Sequence, residues 1–326
     1  MNNLKKIGLT ALAASLVSTS VFAGEVTVSG GASMAVEGYS GTAQNAGKGF
    51  SMGNQLTFSG SGELDNGLTA SISFVLDQGD NEATTASEGT APFDSHSVSI
   101  SSDALGTLTM HGEGGSSAQS ALDTTAAGDI WDTFDNAAFT TGQTVKSSAA
   151  GGDIIVYTLP SMVDDLSVSV SYDPQQATAA SSTAYGLTYT GVEGLSVSYG
   201  KGDASTGVST TEADATTMKA SYAYGSFTVA YSNNDYQTAV ANSDQETTSY
   251  KVSYTVSDEL SISYGQEEIE KENDSDDAEF EAITVAYTSG GMTLTASAKE
   301  STNAAHNSAS TIDDRDYWSL GLAFAF

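Results

Sequence analysis

Bulky apolar and small polar residues alternate with period two along most of this chain. The C-terminus shows the pattern most cleanly: Trp318, Leu320, Leu322, Phe324 and Phe326 share one parity, and Ser319, Gly321, Ala323 and Ala325 share the other. Such alternation places the two sets on opposite faces of a strand. A sheet in water buries its apolar face and shows charge on the other. Here the bulky face is uncharged and the opposite face is very small, which is the form of a lipid-facing strand in a transmembrane barrel.

The same pattern recurs upstream. Leu166–Tyr172, Leu195–Tyr199, Phe227–Tyr231 and Leu260–Tyr264 are near copies, each preceded by a tight turn. Asp65-Asn66-Gly67 joins Gln55–Leu64 to Leu68–Leu76, a clear hairpin signal. In all, seven short turns alternate with eight longer polar segments near 40–53, 78–94, 114–152, 173–182, 202–213, 233–245, 267–277 and 301–312, so the connections imply sixteen strands. The prediction is an all-β fold, a closed antiparallel transmembrane barrel with both chain ends on the short-turn side. Closure follows because hydrocarbon offers no water to unpaired backbone groups. A secreted repetitive β-rich adhesin or surface protein is the alternative from another class. It accounts for the alternation but not for uncharged, tyrosine-rich faces or the short–long rhythm of connections.

Parity sorts the faces. Leu195, Val197 and Tyr199 point one way, as do Leu260, Ile262 and Tyr264, while Ser196, Ser198, Ser261 and Ser263 point into a small, polar lumen. Tyr189, Tyr224, Tyr254 and Tyr287 each precede a short turn and are predicted to form the girdle at that interface. At the N-terminus, Lys5 and Lys6 precede an apolar run, Ile7–Val17, and Val21-Phe22-Ala23 offers small residues for cleavage. Residues 1–23 therefore read as a secretory signal peptide and 24–326 as the barrel domain. Losing two of ten basic residues and none of the 41 acids moves the formal charge from −31 to −33. So acidic a chain excludes nucleic-acid binding by phosphate neutralisation, and the absence of cysteine excludes disulfides and thiolate chemistry.

A barrel of this size encloses water, so selectivity needs a constriction. The 114–152 segment is the longest connection and contains Gly128-Asp129-Ile130-Trp131-Asp132-Thr133-Phe134-Asp135, whose aromatic residues argue for packing against the inner wall. With that stretch, the Tyr157-Thr-Leu-Pro160 strand end, the terminal Phe326 and the strand count, the chain resembles the general trimeric porins of gram-negative outer membranes, in their acidic branch. The resemblance implies a third loop folded into the lumen, with Asp123, Asp129, Asp132 and Asp135 on the acidic side of a pore constriction. Parity makes Lys219, Lys251, Lys299 and Arg315 the basic candidates. The departure from the family pattern is that strands 2 and 4 carry no arginine, Arg315 being the only one in the chain.

The expected function is a water-filled outer-membrane channel for ions and small hydrophilic solutes, cation-selective by charge, with a substrate-selective channel as the variant within the class. No enzymatic role is expected: the three histidines, His96, His111 and His306, form no recognisable catalytic set. The resemblance further implies a homotrimer, contact with outer-membrane lipid and lipopolysaccharide, and handling by periplasmic chaperones and the barrel-insertion machinery. No cofactor is expected. The run 267–277 lacks the spacing of an EF-hand; its one metal reading is loosely bound Ca²⁺ or Mg²⁺ among Glu267, Glu268, Asp274, Asp276 and Asp277. Trp318, Leu320, Leu322, Phe324 and Phe326 are the expected assembly signal. Deleting Phe326 or replacing it with Asp should lower outer-membrane abundance while export to the periplasm continues; unchanged surface levels would refute this role.

Overall fold

The computed structural model describes residues 26–40, 47–77, 93–134, 144–148, 150–174, 181–204, 212–274, 276–306 and 314–326. The expected signal peptide (1–23) and Asp135 lie outside the described residues. The strands are β1 (Thr27–Tyr39), β2 (Gly47–Glu63), β3 (Thr69–Asp77), β4 (Ser95–Ser102), β5 (Gly106–Glu113), β6 (Gly115–Ser116), β7 (Ala150–Gly151), β8 (Ile154–Thr158) and β9 (Leu166–Asp173). They continue with β10 (Ser182–Val192), β11 (Leu195–Asp203), β12 (Ala213–Tyr224), β13 (Phe227–Thr238), β14 (Gln245–Thr255), β15 (Leu260–Lys271), β16 (Ala278–Ser289), β17 (Met292–Thr302) and β18 (Arg315–Ala325).

Sixteen of these strands form one closed antiparallel barrel, β6 and β7 making a separate two-stranded ladder. Each barrel strand pairs with its sequence neighbour, β5 joins β8 across the long segment, and β18 returns to β1. The seam continues to the last residue: the Gly30 amide donates to the Phe326 carbonyl at 2.9 Å, and the Phe326 amide donates to Gly30 at 3.0 Å. Short turns are sharp where the chemistry allows a left-handed residue. Gly225 and Gly290, both at φ 59°, close connections too tight for a residue with a Cβ to enter without strain. Among the described residues no helix is long and apolar enough to cross a membrane.

The expected parity is realised in the register. Tyr199 faces Met218, Tyr231 faces Tyr250 and Trp318 faces Ala298 on the lipid side, while Ser198 faces Lys219 and Ser297 faces Ser319 on the lumen side. Tyr189, Tyr224, Tyr254 and Tyr287 are exposed on the outer face, beside the short turns.

Several boundaries differ from the sequence reading; residues 233–238, read as a connection, belong to β13. Residues 47–54 belong to β2 rather than to a loop; their glycine content hides a strand that pairs with β1 from Tyr39 opposite Gly47 onward. Residues 267–271 likewise continue β15, with Glu246 opposite Glu270 and Glu268 opposite Glu279. The apolar alternation marks only the part of a strand that meets hydrocarbon, whereas the hydrogen-bonded ladder runs on into water, where acids are tolerated. Asp235, Glu246, Glu268, Glu279 and Glu281 occupy such outward positions beyond the apolar band.

The sidedness is testable. Val229 lies on the lipid face and Thr228 on the lumen face of β13. Lysine at Val229 should destabilise the barrel by ~1–4 kcal/mol depending on depth, and lysine at Thr228 by far less, as measured by urea unfolding in lipid. Equal effects would contradict the assigned faces.

Candidate pore constriction

The inner wall is mostly Ser, Thr and Gly, and one segment of the chain lies against it. β6 and β7 form a ladder at the neck of the connection between β5 and β8, and over 118–133 the chain follows the barrel interior. A backbone entering the lumen needs partners for its amides and carbonyls, and the wall supplies them strand by strand. Ser171 of β9 accepts from the Ala118 amide at 2.9 Å, and the Gln119 side-chain amide donates to Thr217 of β12 at 2.8 Å. Asn234 donates to the Asp123 carbonyl at 3.0 Å. Ser232 accepts from Ala126 at 2.8 Å and Ser249 from Ala127 at 2.9 Å. Farther on, Glu267 of β15 accepts from the Trp131 amide at 3.0 Å, and Tyr39 of β1 donates to the Thr133 carbonyl at 3.2 Å. The segment thus crosses the wall from β9 round to β1.

Space for this approach is made by glycine on the inner face. A Cβ at Gly186 would lie 2.3 Å from the Ala118 carbonyl oxygen, and one at Gly265 would lie 2.8 Å from the Ala127 Cβ. Apolar contact fixes the far end. Ile130 and Phe134 pack with Ile269, Ala278, Phe280, Ala282 and Ala304, and the Phe134 and Phe280 rings stack at 5.8 Å. The Gly128-Asp129 pair makes the turn that swings Ile130 toward the wall: Gly128 sits at φ 94° and Asp129 at φ 55°, a conformation aspartate adopts at modest cost. The Thr125 hydroxyl accepts from the Gly128 and Asp129 amides at 3.1 and 2.7 Å, and the Asp129 carboxylate accepts from the Thr125 amide at 2.9 Å.

Of the acidic candidates, Asp123 and Asp129 are partly buried along the inner wall and Asp132 is exposed. The Asp123 carboxyl is raised to about 6, chiefly by burial and also by the neighbouring Asp129, against the opposing effects of Ser147 and Lys219. The basic candidates do not stand opposite these acids. Lys219 donates to the Thr124 carbonyl, and Lys299 donates to the Thr133 hydroxyl with its ammonium 5.7 Å from the Tyr317 ring centre. Lys251 shares the lumen face of β14 with Ser249, one alternate position below the Ala127 contact. Arg315 is buried at the loop end of β18, 3 % exposed. Acids and lysines therefore gather on one side of the lumen. The facing wall, at the lumen positions of β2 to β5, carries mainly hydroxyls, with Glu63, Asp77 and His111 and no Lys or Arg.

Of the five acids named as metal candidates, Glu268 and Asp277 converge, joined by Glu270. Glu267 faces inward, fully buried, with its carboxylate engaged by Thr125 and Trp131, whereas Glu268 faces outward. The candidate ligand atoms of Glu268, Glu270 and Asp277 lie within 4.8 Å of one another. Sequence reasoning missed Glu267 and the hydroxyls that hold the inward segment. A signal was present: Ile269 and Phe280 place large apolar groups at lumen parity, which only a covering segment explains.

A family model of gram-negative porins matches residues 8–288. No curated protein sequence matches the chain. Among solved structures, a variant of the Rh. blastica porin is 15% identical, with a TM-score of 0.65 over 93% of this chain and 100% of its own. An anion-selective porin from Comamonas acidovorans is 16% identical, with a TM-score of 0.67 over 93% and 99%. A loop-deletion variant of OmpT from Vibrio cholerae is 13% identical, with a TM-score of 0.64 over 93% and 99%. At these identities the structures bear on the fold, which all three share with this barrel, and the family match carries the assignment. The chain belongs to the gram-negative porins, outer-membrane channels for small solutes.

Proposed function

We propose that this porin is a passive, water-filled diffusion channel that favours cations. The observation that carries the reading is the one-sided charge layout of its lumen. Lys219 and Lys299 are drawn onto the carbonyl and hydroxyl of the inward segment, and the wall across the opening has acids and hydroxyls but no cation. Lys201, on the outer face, is paired with Asp214 at 3.3 Å and adds nothing to the lumen. At ~0.15 M salt the screening length is ~8 Å, so distant loop acids matter less than charges at the constriction. Rings of like charge there set selectivity. The Comamonas acidovorans relative is described as anion-selective, so the fold alone does not choose the sign and the charges of this chain must.

We infer a homotrimer in the outer membrane, reached after export and cleavage of the signal peptide near Gly24. The outer face supports the assembly. Outward positions of β1 to β5 bear Val28, Met34, Val36, Phe50, Met52, Ile72, Val98 and Met110, without tyrosine or acid, whereas outward positions of β10 to β16 bear the tyrosines and the acids. A face without interfacial anchors suits burial against another copy. Sedimentation in detergent should give three copies per particle, and a monomer would overturn the inference.

Selectivity is tested by the zero-current potential across a KCl gradient in planar bilayers. The wild type should prefer potassium; preference for chloride at low salt would refute the reading. Asparagine at Asp129, Asp132 and Asp135 together should move the potential toward anions, most clearly at high salt, where only the constriction contributes. The raised Asp123 carboxyl, about 6 against an ordinary 3.8, adds a pH dependence. Its negative charge is lost as pH falls through about 6, so cation preference should weaken between pH 7 and 5, and Asp123→Asn should abolish that step. The sign for stability is opposite. The neutral form suits the partly buried site, so docking of the segment gains from Asp123 in full below 3.8 and loses that gain as pH rises through about 6.

A further inference from the structure

We propose that Glu267 is the positioning residue of the constriction, the one wall carboxylate that grips both ends of the 125–131 turn and thereby fixes the bore. The proposal deepens the channel reading and rests on it. Many contacts between the wall and the inward segment use a hydroxyl, a group that is cheap to bury. Glu267 places a carboxylate in the same wall, 0 % exposed, where it needs several donors to be tolerated. Both of its oxygens are used. One accepts from the Thr125 hydroxyl, and the other accepts from the Trp131 amide at 3.0 Å.

The Thr125 hydroxyl extends the grip. Because it gives its proton to Glu267, its lone pairs are left for the Gly128 and Asp129 amides at 3.1 and 2.7 Å. The Asp129 carboxylate closes the ring by accepting from the Thr125 amide at 2.9 Å. One carboxylate thus organises the turn that carries Asp129 and delivers Ile130 to its apolar seat beside Ile269. A hydroxyl at position 267 could not serve two donors set on separate oxygens. Glutamine has the shape but presents an N–H₂ to one of two groups that are already donating.

Single-channel recording tests this. The wild type should hold a steady open level. Glu267→Gln and Thr125→Val should each shorten the open-level lifetime about tenfold, as expected when a buried acceptor or its donor is lost. Thr125→Ser, which keeps the hydroxyl, should behave as wild type. The Glu267→Gln/Thr125→Val double variant should lose less than the two single effects summed, because the two residues share the Thr125–Glu267 contact. A merely structural role for Glu267 is separated by a tether. Cysteines at Ala127 and Gly265, whose Cβ positions lie 2.8 Å apart before the small outward shift a disulfide needs, should restore the steady level to Glu267→Gln when oxidised and lose it when reduced. If Glu267→Gln does not insert, Thr125→Val against Thr125→Ser decides. Wild-type lifetimes in Glu267→Gln or Thr125→Val, or an oxidised tether that restores nothing, would overturn the proposal alone. A silent wild type would overturn the channel reading beneath it.

Discussion

Every backbone amide and carbonyl of a chain that crosses a membrane must find a partner within the protein, because hydrocarbon provides none. In this porin that requirement acts twice. It closes the barrel at the β1–β18 seam, where Phe326 and Gly30 exchange hydrogen bonds. It acts again inside, where residues 118–131 lie along the wall and meet Ser171, Thr217, Ser232, Ser249 and Glu267 in turn. The lumen is wet, so the second demand is softer than the first, and water could have met it. The wall meets it instead, which converts a long connection into a fixed part of the pore.

The two faces of the strands follow from the same alternation but are limited by different media. Outside, the apolar residues end where hydrocarbon ends, and β13 to β16 run on with acids in the same outward register. Inside, side chains are mostly small and polar among the described residues, while Ile269 and Phe280 receive Ile130 and Phe134. Large apolar groups at lumen positions thus mark a docking site, just as charged groups at outward positions mark the end of the membrane.

The fold was legible because its periodicity is simple. The period-two pattern and the alternation of seven short with eight long connections suffice for a sixteen-stranded barrel. What escaped was whatever the period does not encode. Gly47–Asn54 looked like a loop, since pairing with β1 rather than side-chain preference holds it in a strand. Glu267 looked like part of a solvated acidic run, since only register shows that it and Glu268 point to opposite sides. The acids of the inward segment could be named from the Gly-Asp-aromatic stretch. The placement of Lys219 and Lys299 could not, because a lysine at lumen parity reads the same whether it faces the aperture or grips a carbonyl from beneath.

The hydroxyl-lined arc from β2 to β5 has a different standing from the rest of the interior. On the other side, wall and inward segment are matched residue by residue, and the Cβ that Gly186 and Gly265 lack shows how little latitude remains there. On the arc, Ser59, Ser71, Ser73, Ser97 and Ser99 border an open volume of about 360 Å³. Inheritance can act on the two halves separately: the matched half must drift in pairs or not at all, while the arc is free to trade serine for lysine, arginine or aromatic residues one position at a time. A lineage of such barrels can therefore change what it admits without relearning how to fold.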